Sequence, residues 1–237
     1  MQSYTRRQLK EDKFKEVTES AIAQAQAHRR ALTIGAVIVI IIISAIGGYS
    51  YWRNQQDEQA SAAVGKAMNT FSAPIRTAGE PVDPSIISFA TTAERDKEAE
   101  KQFQQIADQY PHTDSGKNAL YMTGVVALDA GNYSDAETRF KQAADKGNKD
   151  VASLAKLGLA SVYEATNRDQ DAINIYNELM KKPTTSVPRE RAQFALASLY
   201  ERKDPAQAKK IYDQLASDKS QSPAIAQLAK QRQAQLK

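Results

Sequence analysis

The chain has no cysteine and only two histidines among its 237 residues, and those two scarcities remove much of the chemistry that a protein of this size could carry. Without thiols there are no disulfides, no thiolate nucleophile and no cysteine-based zinc site. There is also no residue to bear a lipoprotein's lipid. The absence leaves the redox compartment open, because a well-packed domain in an oxidising space can do without disulfides. His28 and His112 cannot complete a structural zinc site between them. His28 abuts Arg29 and Arg30, and His112 stands in the turn Tyr110-Pro111-His112-Thr113, just before Asp114 and Ser115. A Ser-His-Asp reading of that cluster fails on geometry, since neighbours in sequence rarely form a triad. Glycine is sparse too. Its one adjacent pair, Gly47-Gly48, lies in an uncharged run, which leaves no phosphate-cradling loop. Acid pairs such as Glu98 and Glu100 read as a solvated helix face. The expectation is a protein that is not an enzyme and has no metal or cofactor.

Charge is confined as well. Residues 1–30 hold seven Lys/Arg against four acids, residues 31–52 hold neither sign, and of the net +4 only +1 is left for residues 53–237. A basic pI can indicate nucleic acid, but here the excess sits in a short tail beside an apolar run. Membrane topology explains it, and no nucleic-acid partner is expected.

From Ala31 to Trp52 the chain reads ALTIGAVIVIIIISAIGGYSYW. As a helix this run spans about 33 Å, the thickness of a bilayer's hydrocarbon core. A lone segment in lipid must close its own backbone hydrogen bonds, so it is helical. The β-branched run Val37–Ile43 opposes that only weakly. Tyr49, Tyr51 and Trp52 at one end and Arg29 and Arg30 at the other form membrane-interface flanks. Lys13, Lys15, Arg29 and Arg30 precede the run closely, whereas only Arg53 and Lys66 follow it closely. The positive-inside rule therefore places residues 1–30 in the cytoplasm and 53–237 outside. Ala45-Ile46-Gly47 offers a small-x-small cleavage site, but the long polar leader and the length of the run favour a retained anchor. In the tail, Phe14, Val17, Ala21 and Ala25 fall near one helical face, shared with Lys10 and opposite Asp12, Glu16 and Glu19. A surface-lying or partner-binding helix and a plain solvated topology signal both fit. The small pairs Ala31/Gly35 and Ser44/Gly48 would permit close helix approach but assign no partner.

Beyond the span the periodicity is helical. Ala60, Ala63, Val64, Ala67, Met68 and Phe71 share a face that continues the span outward. Pro74, Gly79, Pro81 and Pro84 then break the pattern over 72–93. That loop is long for a compact domain, a length associated with mobility. An internal repeat follows. Leu159-Ala160-Ser161-Val162-Tyr163-Glu164 recurs as Leu196-Ala197-Ser198-Leu199-Tyr200-Glu201. An Ala-x-x-x-aromatic pair recurs as Ala99/Phe103, Ala136/Phe140, Ala172/Tyr176 and Ala208/Tyr212, with steps of 37, 36 and 36. Ser134 to Glu137 reads as a capping box, while Asp204-Pro205 and Ser222-Pro223 read as N-cap followed by proline.

A period slightly above 34 with two helices per unit is the tetratricopeptide signature. The unit beginning near Asn118 resembles that repeat in Leu120, Gly124, Gly131, Tyr133, Ala136, Phe140 and Ala143, and Pro111 sits where a repeat ends. It departs from the pattern at Ala127, where tyrosine is usual, and at Asn167, where the turn glycine is usual. The third unit is one residue shorter at its turn. The implied fold is all-α: one transmembrane helix, then a tetratricopeptide-like solenoid with a degenerate first repeat to about 115, repeats at about 116–150, 151–186 and 187–221, and a capping helix over 222–237. The resemblance also implies a groove lined by the first helix of each repeat. Its candidate partner contacts are Asn118, Tyr121, Val125 and Leu128, then Leu154, Leu157, Ser161 and Glu164, then Arg191, Phe194, Ser198 and Glu201. For Leu154 and Leu157, packing within the superhelix fits equally well. The Lys/Asn/Arg clamp with which some members hold C-terminal carboxylates is missing.

The whole layout of basic tail, single span and outer repeats is similar to the bacterial ancillary Sec-translocon subunit family. That likeness rests on architecture. It implies an inner-membrane, single-pass protein with a periplasmic domain that contacts membrane lipid, translocon subunits, exported chains and periplasmic chaperones, and has no small-molecule substrate. The alternative is an assembly or structural subunit of another envelope complex, in outer-membrane biogenesis, division or respiration.

Overall fold

The computed structural model describes residues 29–77, 85–218 and 223–236, without the side chains of Arg29 and Leu32. The expected face from Phe14 to Ala25, His28, the loop residues Gly79, Pro81 and Pro84, and the cap at Ser222 lie outside those residues. Among the described residues there are nine α-helices and no strand beyond an isolated bridge between Ile75 and Phe89. The all-helical expectation holds. The chain divides into two compact units, Met1–Arg53 and Asn54–Lys237.

The described part of the first unit belongs to helix α1, Arg29–Phe71, whose sequence passes the unit boundary without a break. The large apolar residues of its uncharged run are exposed. Ile40 is 62% and Ile43 63% exposed, and apolar surface left in water costs about 25 cal/mol per Å². Among the described helices α1 is the one long and apolar enough to cross a membrane. At the end of the uncharged run the rings of Tyr49 and Trp52 lie 6.1 Å apart, and both are exposed, as is Tyr51.

The second unit contains the end of α1 from Asn54, then α2 (Thr92–Gln109), α3 (Asp114–Asp129), α4 (Tyr133–Lys146), α5 (Lys149–Ala165), α6 (Asp169–Lys181), α7 (Arg189–Lys203), α8 (Pro205–Ser217) and α9 (Pro223–Gln235). From α2 onward each helix packs on the next, and α3 also packs on α5. This is the contact pattern of stacked helix pairs. The period read from the sequence sets the core. Ala99, Ala136, Ala172 and Ala208 are each 0% exposed, and the aromatics four residues on, Phe103, Phe140, Tyr176 and Tyr212, are at most 2% exposed. A small residue lets two helices meet, and one turn later an aromatic fills the gap. Phe140 shows how tight that fit is. A Cβ on Gly124 of α3 would lie 2.7 Å from its ring, and one on Gly158 of α5 would lie 2.5 Å from it. The alanines of α1 join the same core: Ala60 and Ala67 are fully buried with Ala99 and Phe103, while Met68 is exposed.

The turns explain two departures from the repeat pattern. Gly131, between α3 and α4, has φ +73°, and Asn167, between α5 and α6, has φ +59°. Both are left-handed, and asparagine is the side chain that best tolerates what glycine does freely. In the third pair Asp204 both ends α7 and caps α8, accepting from the Gln207 amide at 3.1 Å. One residue serves two purposes, which shortens the turn. The capping box expected at Ser134 is corrected. The N-cap of α4 is Asn132, whose side chain accepts from the Asp135 amide at 3.5 Å. The left-handed Gly131 turns the chain early enough for the helix to start at Tyr133.

Between α1 and α2 the two described flanks of the long loop are pinned together. The Arg76 amide donates to Phe89 O at 2.8 Å, and the Phe89 amide donates to Pro74 O at 3.1 Å. Ion pairs step from one helix pair to the next: Arg139 to Glu100 at 3.1 Å, Arg202 to Glu164 at 2.9 Å, and Arg168 to Glu137. Arg168 also lies 4.0 Å over the ring of Tyr163. Exposed pairs of this kind contribute little singly, but they are spaced to favour one register of stacking.

Candidate partner-binding groove

Helices α3, α5 and α7 are the first helices of their pairs, and the candidate residues lie along them with unequal freedom. Asn118, Ser161 and Arg191 are exposed. Tyr121, Val125 and Leu128 are half-buried against the core that surrounds Phe140, and the rings of Tyr121 and Phe140 lie 5.8 Å apart. Leu154 packs against the small cluster of Leu179, Val187 and Ala192, and Leu157 is shared between that cluster and the C-terminal core. Phe194 is half-buried, with its ring edge-on to Tyr212 at 5.3 Å. Burial pushes the Tyr121 phenol above its ordinary pKa, and the positive charge of Arg191 opposes that rise.

Glu164 and Glu201 have a different task. The Tyr176 hydroxyl donates to Glu164, and the Tyr212 hydroxyl donates to Glu201 at 2.7 Å. Each carboxylate ties the first helix of its pair to the buried aromatic of the second. Arg202 donates to Glu164 at 2.9 Å, and Arg232 of α9 lies 3.9 Å from Glu201. Ser198 shares the site, with its hydroxyl 3.2 Å from that of Tyr212. Burial, reinforced by Glu164, raises the Tyr176 pKa. Burial is also the main cause at Tyr212, where Ser198 lowers and Glu201 raises the value, and the net result is a phenol pushed up to about 12. These phenols are structural donors and stay neutral at ordinary pH.

The structure brings four candidates, Leu157, Ser161, Arg191 and Phe194, to one pocket of about 600 Å³. Its far wall comes from α9, through Ile225 and Leu228, residues inside the expected capping helix. Their three-residue spacing was the signal available, but a single i, i+3 pair is too short a pattern to mark a face. Asn118, Val125 and Leu128 do not reach this pocket.

The cluster around His112 is spoken for elsewhere. His112 is exposed. The Ser115 amide donates to the Asp57 carboxylate at 2.8 Å, and the Asp114 carboxylate accepts from the Asn148 side chain at 3.0 Å. Those contacts link the starts of helices to neighbouring elements.

Comparison with known families bears on the whole arrangement. The model of the tetratricopeptide repeat-like domain matches residues 26–182, a stretch that takes in the apolar part of α1 as well as α2 to α6. A second model, the tetratricopeptide repeat, matches residues 191–222. No curated protein and no solved structure gives a significant match.

Proposed function

Because the chain belongs to the tetratricopeptide repeat-like family, whose repeats typically serve as non-enzymatic scaffolds for protein partners, we propose that it is a membrane-anchored scaffold working outside the cytoplasm. In this reading the apolar run of α1 is the anchor, and the faces of α3, α5 and α7 receive protein. The observation that carries the proposal is the pairing of a bare apolar helix with stacked repeats inside one matched stretch, residues 26–182. The basic flank before the span supports an N-terminus in the cytoplasm and a repeat unit in the periplasm of a bacterial inner membrane. The partner complex we favour is the Sec translocon, with exported chains and periplasmic chaperones as the transient clients. Support for that partner is the layout of tail, span and repeats. The work of such a protein is capture, and it requires no nucleophile, metal or cofactor.

Three experiments test the proposal. A phosphatase reporter that is active only outside the cytoplasm, fused after residue 237, is expected to be active; silence there, with activity from a fusion at residue 1, reverses the orientation. In intact membranes, crosslinking followed by mass spectrometry is expected to recover translocon subunits. Recovery of another envelope complex instead would replace the favoured partner. The double variant Tyr121→Ala with Phe194→Ala is expected to weaken capture, because aromatics at an interface supply large contact area. His112→Ala is expected to leave it unchanged.

A further inference from the structure

Among the described residues the pocket beside α7 has a chemical character of its own. Its floor and walls include Leu157, Phe194, Ala195, Ile225 and Leu228. The ionised residues lining it are Glu190 and Arg191, neighbours in sequence and opposite in sign. Arg191 is fixed at the rim by a hydrogen bond from Nη1 to Ser186 O at 2.9 Å. The two carboxylates nearest in the repeat pattern, Glu164 and Glu201, accept from Tyr176 and Tyr212, lie against Arg202 and Arg232, and are absent from the lining. The volume of about 600 Å³ sits within the range of about 300–1,000 Å³ typical of ligand sites.

We infer that this pocket is a subsite for a bulky apolar side chain of an extended, locally uncharged polypeptide. Two observations select that occupant. A charged peptide would meet one attractive and one repulsive rim group, so the Glu190–Arg191 pair gives no net preference for either sign. The same pair suits a neutral main chain, with a carboxylate to accept an N–H and a guanidinium to donate to a C=O.

The ligand class is therefore a segment of unfolded chain that carries a large apolar side chain with no charge beside it. This rests on the scaffold reading above and gives it a substrate class. It also gives α9 a role beyond covering the last repeat, because Leu228, 43% exposed, forms part of the pocket wall.

The test uses the full-length chain in nanodiscs and fluorescein-labelled peptides of about twelve residues. One carries a single Phe in a Gly/Ser/Asn background. A second has the Phe replaced by Ser, and a third has Asp on either side of the Phe. Fluorescence anisotropy is expected to show the Phe peptide binding on the order of tenfold tighter than its Ser counterpart. Its affinity should change less than about twofold between low and high salt. Leu228→Asp alters an exposed wall residue and is expected to weaken that binding about fivefold or more, with the far-UV dichroism unchanged. Equal affinity for the Phe and Ser peptides, tighter binding of the Asp peptide, or a Leu228→Asp variant that binds as the parent does would each overturn the subsite. If that happens while Tyr121→Ala with Phe194→Ala still loses capture in membranes, the scaffold reading stands without this ligand class. If membrane capture is also absent, both fall.

Discussion

The early and late parts of the repeat unit solve the same packing problem with different side chains. In the first two of the four Ala-x-x-x-aromatic pairs the filler is phenylalanine, Phe103 and Phe140, and in the last two it is tyrosine, Tyr176 and Tyr212. Neighbouring residues change with it. Around Phe140 the contacts are glycine, at Gly124 and Gly158, and the residue aligned with Glu164 is the apolar Leu128. In the later pairs alanine stands at Ala160 and Ala197, and Glu164 and Glu201 accept the phenol hydrogens. A hydroxyl taken into the core requires an acceptor, since a buried unsatisfied polar group costs about 1–3 kcal/mol. Each half is consistent within itself, and the apolar pocket beside α7 lies in the half that satisfies its aromatics with polar partners.

The largest expected effect is in the phenylalanine half. Phe140→Ala removes a fully buried ring held between two glycines, and is expected to cost about 3–5 kcal/mol, read as a lowered thermal midpoint of the full-length chain by circular dichroism. Ala136→Trp inserts bulk where α4 meets its partner helix and should cost about 1–3 kcal/mol in the same measurement. An unchanged midpoint in either case would mean that the Ala–aromatic register does not organise the core.

Exchanging the two chemistries gives a smaller and sharper test. Tyr212→Phe alone takes the phenol donor from Glu201 and leaves it the Arg232 contact, and Glu201→Leu alone takes the carboxylate from the phenol and leaves it Ser198; each should cost on the order of 1 kcal/mol. The double variant reproduces the Phe140–Leu128 combination and should recover most of the loss, a coupling that a double-mutant cycle measures directly. Additive losses would show that the hydroxyl–carboxylate pair contributes nothing as a pair.

The smallest effect is in alkali. The Tyr212 phenol is raised to about 12 when folded, against about 10 in an unfolded chain. Its contribution is fully present below pH 10 and is lost as pH rises from 10 toward 12, because the unfolded state releases the proton first. Thermal midpoints of the parent should therefore fall more steeply between pH 9 and pH 11, on the order of the spacing of those pKa values, than those of Tyr212→Phe. Parallel curves would contradict the assignment.

The core was legible in the sequence because it repeats. Four alanines at nearly equal steps mark the helix contacts, and the aromatics one turn later mark the fillings. Asn167 was legible as the stand-in for a turn glycine. What the pattern did not reveal depended on contacts between elements. That Glu164 and Glu201 are held by tyrosines requires knowing which faces of paired helices meet. The cap at Asn132 requires the left-handed turn before it. The wall formed by Ile225 and Leu228 requires a polar-looking helix to lie over α7, and no period in the sequence announces that.

The central claim is that the faces of α3, α5 and α7 are where this protein meets its partners. Photo-crosslinking residues placed in living cells at the exposed groove positions Asn118 and Ser161, and at the exposed second-helix positions Asn174 and Lys209, test it directly. The account predicts defined protein adducts from Asn118 and Ser161 and none from Asn174 or Lys209. Adducts from the second-helix positions alone would place the contact surface on the opposite side of the repeats and contradict the account.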